Sequence, residues 1–425
     1  MSEVGEFLTS FQSQLNHQCE AQDILWVKRR RVFNSKLLVA AILSLISDSK
    51  KSSYRLLPTI LEYKSLIFGD TDLKKFSASS FCEARQKLSP YFFVDLSQWI
   101  YAFVSEKFEK SRWFSRQIFS IDASEIILPK ELESDGFYSK KGHYYPRATL
   151  TTLFDLQLGI PYDCVVSQDT SERQSAINLL PSLPENSILI GDRAYFSYEL
   201  LHRCEDQKID LILRVSSSNA PVEFKDFFEG ENVDETIDLT PAVEICRHMI
   251  RMGLHPRSYA VRVIAYSIGK ERYVLVSTVF DEEISLTDIG NLYRSRWDIE
   301  EHFKFLKSHI GIESFHSKNV AGVLQEIFAT YFLATLTSAV IAMSSGQKSK
   351  TIDRIEYSKA VTLGSITGSI SAIFYAKKNI LKKWIEILVA SLNRAKFRFR
   401  PSRSYKRRSH AAINKWIDIE NGVRC

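Results

Sequence analysis

Apolar and charged residues alternate at helical spacing from Asn291 to Ile310, with no Pro or Gly to interrupt them. At about 100° per residue, Leu292, Ile299, Phe303, Leu306 and Ile310 fall on one stripe, and Tyr293, Arg296, Glu300 and Lys307 fall on a second along its edge. This spacing predicts one amphipathic helix whose first stripe is buried and whose second lines whatever stands at its border. Residues 1 to about 110 also read as helices: Phe33 to Ile46 is strongly apolar, Tyr54 to Tyr63 is amphipathic, and Pro90 to Lys110 carries large apolar residues at helical intervals. Between them, serines stand as capping candidates before a short helix that Pro90 stops. That helix would show Arg85, Gln86 and Lys87, either as the recognition helix of a helix-turn-helix-like unit or as an ordinary surface helix. The run Lys28-Arg-Arg-Arg31 is a second basic cluster nearby and favours DNA contact somewhere in this region.

At Arg116 the period shortens to two. Gln117–Asp122, Thr149–Asp155, Ile160–Ser167, Ser187–Asp192 and Ile209–Val215 read as strands, with helices at Ser171–Leu180 and Ser197–Cys204. Ala260–Tyr266 and Tyr273–Thr278 read as a hairpin. Val320–Lys350 and Ile352–Trp384 return to helical spacing. Ile327–Met343 is apolar, but it is short, carries Thr330, Thr335, Thr337 and Ser338, and follows Gln325-Glu326, so it reads as a buried helix of a soluble protein with no membrane partner.

Composition narrows the class. With 425 residues, 45% of them hydrophobic, the chain is globular and long enough for two to four domains. Six cysteines without a C-x-x-C pair indicate neither a zinc ribbon nor a disulfide framework. Met-Ser-Glu-Val-Gly-Glu lacks the character of a secretory leader, so a reducing cytoplasm is expected. Charge is uneven: Lys377 to His410 holds twelve Lys or Arg against one acid, Glu386, a net +11, so the rest of a chain at +6 carries −5. Phe397, Phe399 and Tyr405 interleave with those charges, which favours nucleic acid over a plain solvated tail. No G-x-S-x-G, P-loop or G-x-G-x-x-G occurs, so neither serine-hydrolase chemistry nor a nucleotide cofactor is indicated.

A carboxylate between an Arg and a Lys on a helix edge is ordinarily a solvated face with i,i+4 pairs. The spacing Tyr293-x2-Arg296-x3-Glu300-x6-Lys307, however, resembles the Tyr-Arg-Glu-Lys signature of bacterial insertion-sequence transposases of the DDE type, the insertion-sequence-four family. Such a transposase needs two aspartates at strand ends upstream. Asp122 in Ile-Asp-Ala-Ser and Asp192 in Gly-Asp-Arg-Ala-Tyr match those contexts. Singly, each is most simply a turn or cap residue; together with Glu300 they make three carboxylates able to share a pair of hard cations, which is what phosphodiester cleavage exploits.

The resemblance implies an α/β fold with a ribonuclease-H-like catalytic core carrying a β-rich insertion, an all-helical N-terminal domain before it and a helical basic region after it. The expected divisions are a helical DNA-binding domain over 1–112, the first part of the core over 113–215, the insertion over 216–282, the rest of the core with the signature helix over 283–350, and the basic region over 351–425. It implies Asp122, Asp192 and Glu300 as catalytic metal ligands for two Mg²⁺ ions, with Mn²⁺ as a substitute. Tyr293, Arg296, Lys307 and Arg193, with Arg403, Arg407 and Arg408 of the tail, would hold DNA. In relatives the insertion can hold an aromatic that stacks on a flipped base; with no Trp between Trp113 and Trp297, that role falls to a Tyr, a Phe or Trp297. The implied partners are double-stranded DNA, as terminal inverted repeats and target, and a second copy of the chain in a homodimer on DNA. The implied activity is cut-and-paste transposition by a bacterial, nucleoid-associated enzyme. Two other classes remain open: a transposase-derived DNA-binding regulator without catalysis, and a structure-selective nuclease on the same fold.

Overall fold

Five helices come first: α1 (Glu3–Trp26), α2 (Ser35–Ser47), α3 (Leu57–Phe68), α4 (Ala78–Arg85) and α5 (Phe92–Lys107). The structure, a computed structural model, describes residues 2–27, 32–47, 55–68, 76–108, 112–168, 171–218, 220–231, 233–268, 271–345 and 355–398. Lys28–Arg31 and the tail arginines Arg403, Arg407 and Arg408 lie outside the described residues. The serines do start helices: Ser2 caps α1 by accepting from the Gly5 N–H, and Ser77 and Ser80 form a reciprocal box at the start of α4. Every residue of α2 from Leu37 to Ile46 is buried, as an all-round apolar helix requires.

The middle of the chain gives β1 (Ile118–Ile127), β2 (Arg147–Asp155), β3 (Ile160–Ser167), α6 (Glu172–Leu179), β4 (Ile188–Gly191), α7 (Tyr198–Asp206), β5 (Asp210–Val215), β6 (Val233–Leu239), α8 (Val243–Arg251), β7 (Tyr259–Ile268) and β8 (Glu271–Ser277). They form one eight-stranded sheet in the order β3-β2-β1-β4-β5-β8-β7-β6. β1, β4 and β5 are parallel neighbours, which crossover helices α6 and α7 make feasible. β8, β7 and β6 continue the sheet antiparallel from β5, and β3 pairs antiparallel with β2. β4 is Ile-Leu-Ile-Gly with all four residues buried, the composition of a strand covered on both faces. The edge strand β6 exposes Asp234, Glu235 and Asp238, charges that discourage pairing with another strand.

After the sheet come α9 (Leu286–Ser295), α10 (Trp297–Phe305) and a π turn at Leu306–Ile310, then α11 (Val320–Ser345), β9 (Ile355–Tyr357), α12 (Lys359–Gly368), α13 (Ile370–Tyr375), α14 (Lys378–Arg394) and β10 (Lys396–Arg398). The chain packs as two compact units: Lys110–Glu125 with Thr149–His302, built on the sheet, and Met1–Glu109 with Ile126–Ala148 and Phe303–Cys425, which is mainly helical.

Four local expectations change. β1 continues to Ile127 instead of ending at Asp122, although its pairing with β4 stops at Ser120. The single helix expected from Asn291 begins at Leu286, behind a Ser285–Asp288 capping box, and breaks at Arg296, where bonds shorten to three-residue spacing. The helix expected over Ile352–Trp384 is instead divided into α12, α13 and the start of α14, with β9 before them paired to β10.

Fourthly, Arg85 is not a surface group. It is 5% exposed and donates to Gln325 Oε1 and Glu326 Oε1 at 3.0 Å each and to the Gly322 carbonyl at 3.1 Å. Glu326 also accepts from the His316 and Ser317 amides, and Gln325 donates to the Arg85 and Leu88 carbonyls. The network therefore ties α4 to α11 within the helical unit. α11 is long and apolar enough to cross a membrane, but 89% of its most apolar window is buried in the protein, against α5, α2, α1 and α12. Glu326→Leu, which strands the buried Arg85 charge, should cost about 3–5 kcal/mol. The double variant Arg85→Met with Glu326→Leu should recover most of it. Urea midpoints of the three proteins check this, and equal losses in single and double variants would refute the pairing argument.

Candidate active site

The sheet's parallel register brings the two predicted aspartates together. Ser120 on β1 is opposite Ile190 on β4, so the same register carried two residues further sets Asp122 beside Asp192, on the same face. Gly191 lets β4 reach this point: a Cβ there would meet Leu213 Cδ2 at 2.9 Å and Tyr195 Cβ at 3.3 Å. Beyond it the chain turns sharply, the Ala194 N–H donating to Asp192 Oδ1 at 2.7 Å, before Ser197 caps α7. The Ala123 N–H donates likewise to Asp122 Oδ1 at 2.8 Å, leaving Oδ2 for a partner.

That partner is Arg296. Its guanidinium reaches Asp122 Oδ2 at 3.4 Å through one terminal nitrogen and Glu300 Oε1 at 2.6 Å through the other. Its side chain is 13% exposed, against 20% for Asp122 and 32% for Glu300, and its buried Nε has no hydrogen-bond partner. Burial alone would lower the pKa of the guanidinium, but Tyr293, Glu300 and Asp122 outweigh it and keep the group charged. Tyr293 is buried, with its ring centroid 5.9 Å from the guanidinium carbon. Burial pushes the Tyr293 hydroxyl above its ordinary range, against the pull of Arg296 and Arg214. Asp122, Asp192, Glu300, Arg296 and Tyr293 thus meet in one unit.

The other candidates stand apart. Arg193, next to Asp192, is exposed. Lys307 is exposed on the π turn and belongs to the helical unit. Because that turn begins at Leu306 and closes with Gly311 N–H on the Leu306 carbonyl, the 100° extrapolation from Glu300 stops one residue before Lys307. Trp297, the first residue of α10, is 60% exposed.

Sequence pattern alone does not single out two further residues. Tyr195 is fully buried, its hydroxyl has no partner among the described residues, and burial drives its pKa far up, with further increments from the Asp122, Glu172 and Asp192 charges. Glu172, on the first turn of α6, is thereby a third acid within electrostatic reach of Tyr195. Arg214 is the other. A lone Arg in the apolar run Leu-Ile-Leu-Arg-Val is a legible signal; a Tyr one turn after Asp192 is a fainter one.

The donor chemistry suits a hard divalent cation. Burial pushes the Asp122 carboxyl up to about 6, and Asp192 and Glu300 add to the rise while the Ala123 N–H and Arg296 oppose it. Like-charge crowding of that kind is what a bound cation relieves. Among the described residues, however, no three His, Cys, Asp or Glu side chains stand close enough to hold one ion together. Arg296 is bonded to one oxygen each of Asp122 and Glu300.

Comparison with known proteins decides the family. Residues 113–336, more than half of the chain, match the family described as the transposase DDE domain. The chain belongs to that DDE transposase family. InsZ of Escherichia coli (strain K12), a transposase by name, is 25% identical over 145 residues, which cover 31% of this chain and 47% of InsZ, so the match spans about half the length of that relative. A cryo-EM structure of the piggyBac transposase synaptic complex with hairpin DNA aligns over 91% of this chain and 82% of its own, at 11% identity and a TM-score of 0.44. The matched segment of the DDE family contains all five residues of the cluster.

A pH signature follows from Asp122. Its folded value of about 6 lies above the ordinary 3.8, so the folded state binds this proton more tightly than the unfolded state. The associated stability is full below about pH 4 and is lost as pH rises through about 6. In metal-free buffer, Asp122→Asn should therefore gain thermal stability relative to the unsubstituted protein as pH is raised across that window. Parallel midpoint curves from acid to neutral pH would refute the assignment.

Proposed function

We propose that this chain is a cut-and-paste DNA transposase of the insertion-sequence-four type, acting on the inverted repeats at its element's ends. The observation that carries the reading is that Asp122 on β1 and Asp192 directly after β4 follow the parallel register of those two strands, with Glu300 reached from Asp122 across one shared arginine. The strand order β3-β2-β1-β4-β5, with β1, β4 and β5 parallel, supports a ribonuclease-H-like core, and β6 to β8 supply a β-rich insertion at its edge.

In this reading Asp122, Asp192 and Glu300 would hold two Mg²⁺, which when bound activate an attacking water or 3′-hydroxyl and stabilise the leaving oxygen. Asp122 and Asp192 each commit one carboxylate oxygen to a backbone N–H, which orients the remaining oxygen for this work. Arg296 would hold a DNA phosphate, the planar fork that now spans two carboxylates being suited to two phosphate oxygens. Tyr293 beneath it fixes the fork's direction. Lys307, Arg193 and the basic tail would hold the backbone further out, and a second copy of the chain would pair the two element ends.

Asp122→Asn, Asp192→Asn and Glu300→Gln should each abolish Mg²⁺-dependent nicking of a duplex cut from the DNA flanking the gene, while leaving its binding largely intact. Undiminished nicking by any one variant removes that residue from the site. Tail binding needs a different cut. The segment from Lys377 includes α14, which buries Leu381, Ile385, Leu388 and Leu392, so a truncation there would damage packing. Ending the chain at Arg398 should flatten the log K versus log salt slope by about 0.9 for each phosphate that the shortened chain no longer neutralises. An unchanged slope would assign the tail no part in DNA binding.

A further inference from the structure

The sheet face that carries the aspartates also carries a row of positive charge. Gly191 is opposite Leu213, so the β4–β5 register carried one residue further sets Arg214 beside Asp192. Arg214 is opposite Leu275 on β8, and two residues before Leu275, on the same face, stands Tyr273, paired with Tyr266 on β7. The two tyrosine rings stack with centroids 5.6 Å apart and planes at 13°, and the Arg214 guanidinium lies 4.6 Å from the Tyr273 ring centroid.

α9 covers the end of this row. A Cβ at Gly290 would meet the Tyr266 ring at 3.4 Å, and Arg294 is one turn further along the same helix face. Tyr266 is 7% exposed and its buried hydroxyl has no partner. Burial pushes that hydroxyl up to about 12, with Arg294 and Arg214 both acting against the rise, so both guanidiniums reach this point.

Neither Arg214 nor Arg294 is paired with an acid among the described residues. In the same unit Arg116, Arg203, Arg257 and Arg262 are each paired with carboxylates, and Arg272 with three carbonyls. No hydrogen bond or ion pair holds the guanidinium of Arg214 or Arg294 among the described residues. A half-buried arginine held only over an aromatic ring keeps all five donors for a ligand. Arg214 held in this way and the exposed Arg294, in one row with a carboxylate pair, fit a chain of evenly spaced anions, not a single carboxylate.

The geometry points to Arg214 and Arg294 as a phosphate-binding subsite for the DNA strand that leaves the Asp122–Asp192 pair across β5, β8 and β7. This rests on the DNA-transposase reading above and assigns that site two phosphate contacts outside the Tyr-Arg-Glu-Lys spacing. Arg214, one strand from Asp192, would hold the phosphate nearest the reacting one, and Arg294 a phosphate further along.

The test uses the full chain and a fluorescein-labelled duplex cut from the DNA flanking the gene. Arg214→Gln and Arg294→Gln should each flatten the log K versus log salt slope by about 0.9, and Arg214→Lys should restore it. Calorimetric Mn²⁺ binding, which a disturbed fold would alter, should be the same in all four proteins. Asp122→Asn should show the opposite pattern, with the slope retained and nicking lost. If both glutamine variants keep the full slope, the subsite is refuted, while loss of nicking in Asp122→Asn leaves the transposase reading standing. Should Arg214→Gln fail to fold, the exposed Arg294→Gln and the charge-preserving Arg214→Lys still decide, because a full slope in the first or a flattened slope in the second overturns the assignment. A chain that binds this duplex with no salt dependence would remove the subsite and the function reading together.

Discussion

One guanidinium governs the electrostatics of the candidate site. Arg296 spans Asp122 and Glu300 while Asp192 stands one strand from Asp122. Two like charges about 5 Å apart at an effective dielectric of about 20 repel by about 3 kcal/mol. Ionised carboxylates gathered in one site are therefore tolerable only with positive charge among them. Burial is the main cause of the Asp122 rise to about 6, and the Asp192 and Glu300 charges add to it against the pull of Arg296. A lysine would not substitute, since a point charge cannot face two carboxylates along two directions at once. The same geometry makes two roles of Arg296 exclusive: the fork would take a phosphate only on leaving Asp122 and Glu300.

The sheet makes that arrangement stiff. Parallel pairing of β1, β4 and β5 ends at Ser120, Gly191 and Leu213, so Asp122, Asp192 and Arg214 follow closely on main-chain hydrogen bonds that fix the strands' heights. Gly191 leaves no room for a side chain between β4 and Tyr195. Glu300 and Arg296 come instead from the α9–α10 junction, where shortened bonds change the direction of the helix. One aspartate therefore stands on a strand and the other directly after one, while the glutamate comes from a helix.

Alternation and capping patterns are enough to read most elements of the sheet unit, and strand-end context is enough to find both aspartates. What escapes the sequence is non-local. Arg85 reads as a surface residue because Glu326 and Gln325, which bury it, lie some 240 positions away. β9 and β10 are three residues each, too short to show a period, and exist only through each other. β1 seems to end at Asp122 because Ala123, Ser124 and Glu125 break the apolar alternation, yet the backbone stays extended. Arg214 stands out in the sequence as a lone Arg in an apolar run, but only the register of β4 and β5 places it beside Asp192. The break at Arg296 and the π turn at Leu306 have no Gly or Pro to announce them, and a 100° wheel drawn through both carries Lys307 further than the helix does.

Charge segregation then becomes intelligible as a property of the fold. Along the chain, acids and bases look mixed, with 56 Lys or Arg against 50 Asp or Glu. On the sheet face they are sorted by strand: an acid within β1 and another directly after β4, an arginine on β5 with no acid partner among the described residues, and a stacked tyrosine pair on β8 and β7 leading to Arg294. Elsewhere in the unit Arg116, Arg203, Arg257 and Arg262 are neutralised by carboxylates. Phosphodiester chemistry requires this adjacency, negative ligands where cations must collect and positive donors where the strand must lie, within one phosphate spacing of each other. A sheet supplies it readily, because neighbouring strands carry opposite charges side by side while each strand's own sequence remains mostly apolar and folds as an ordinary strand.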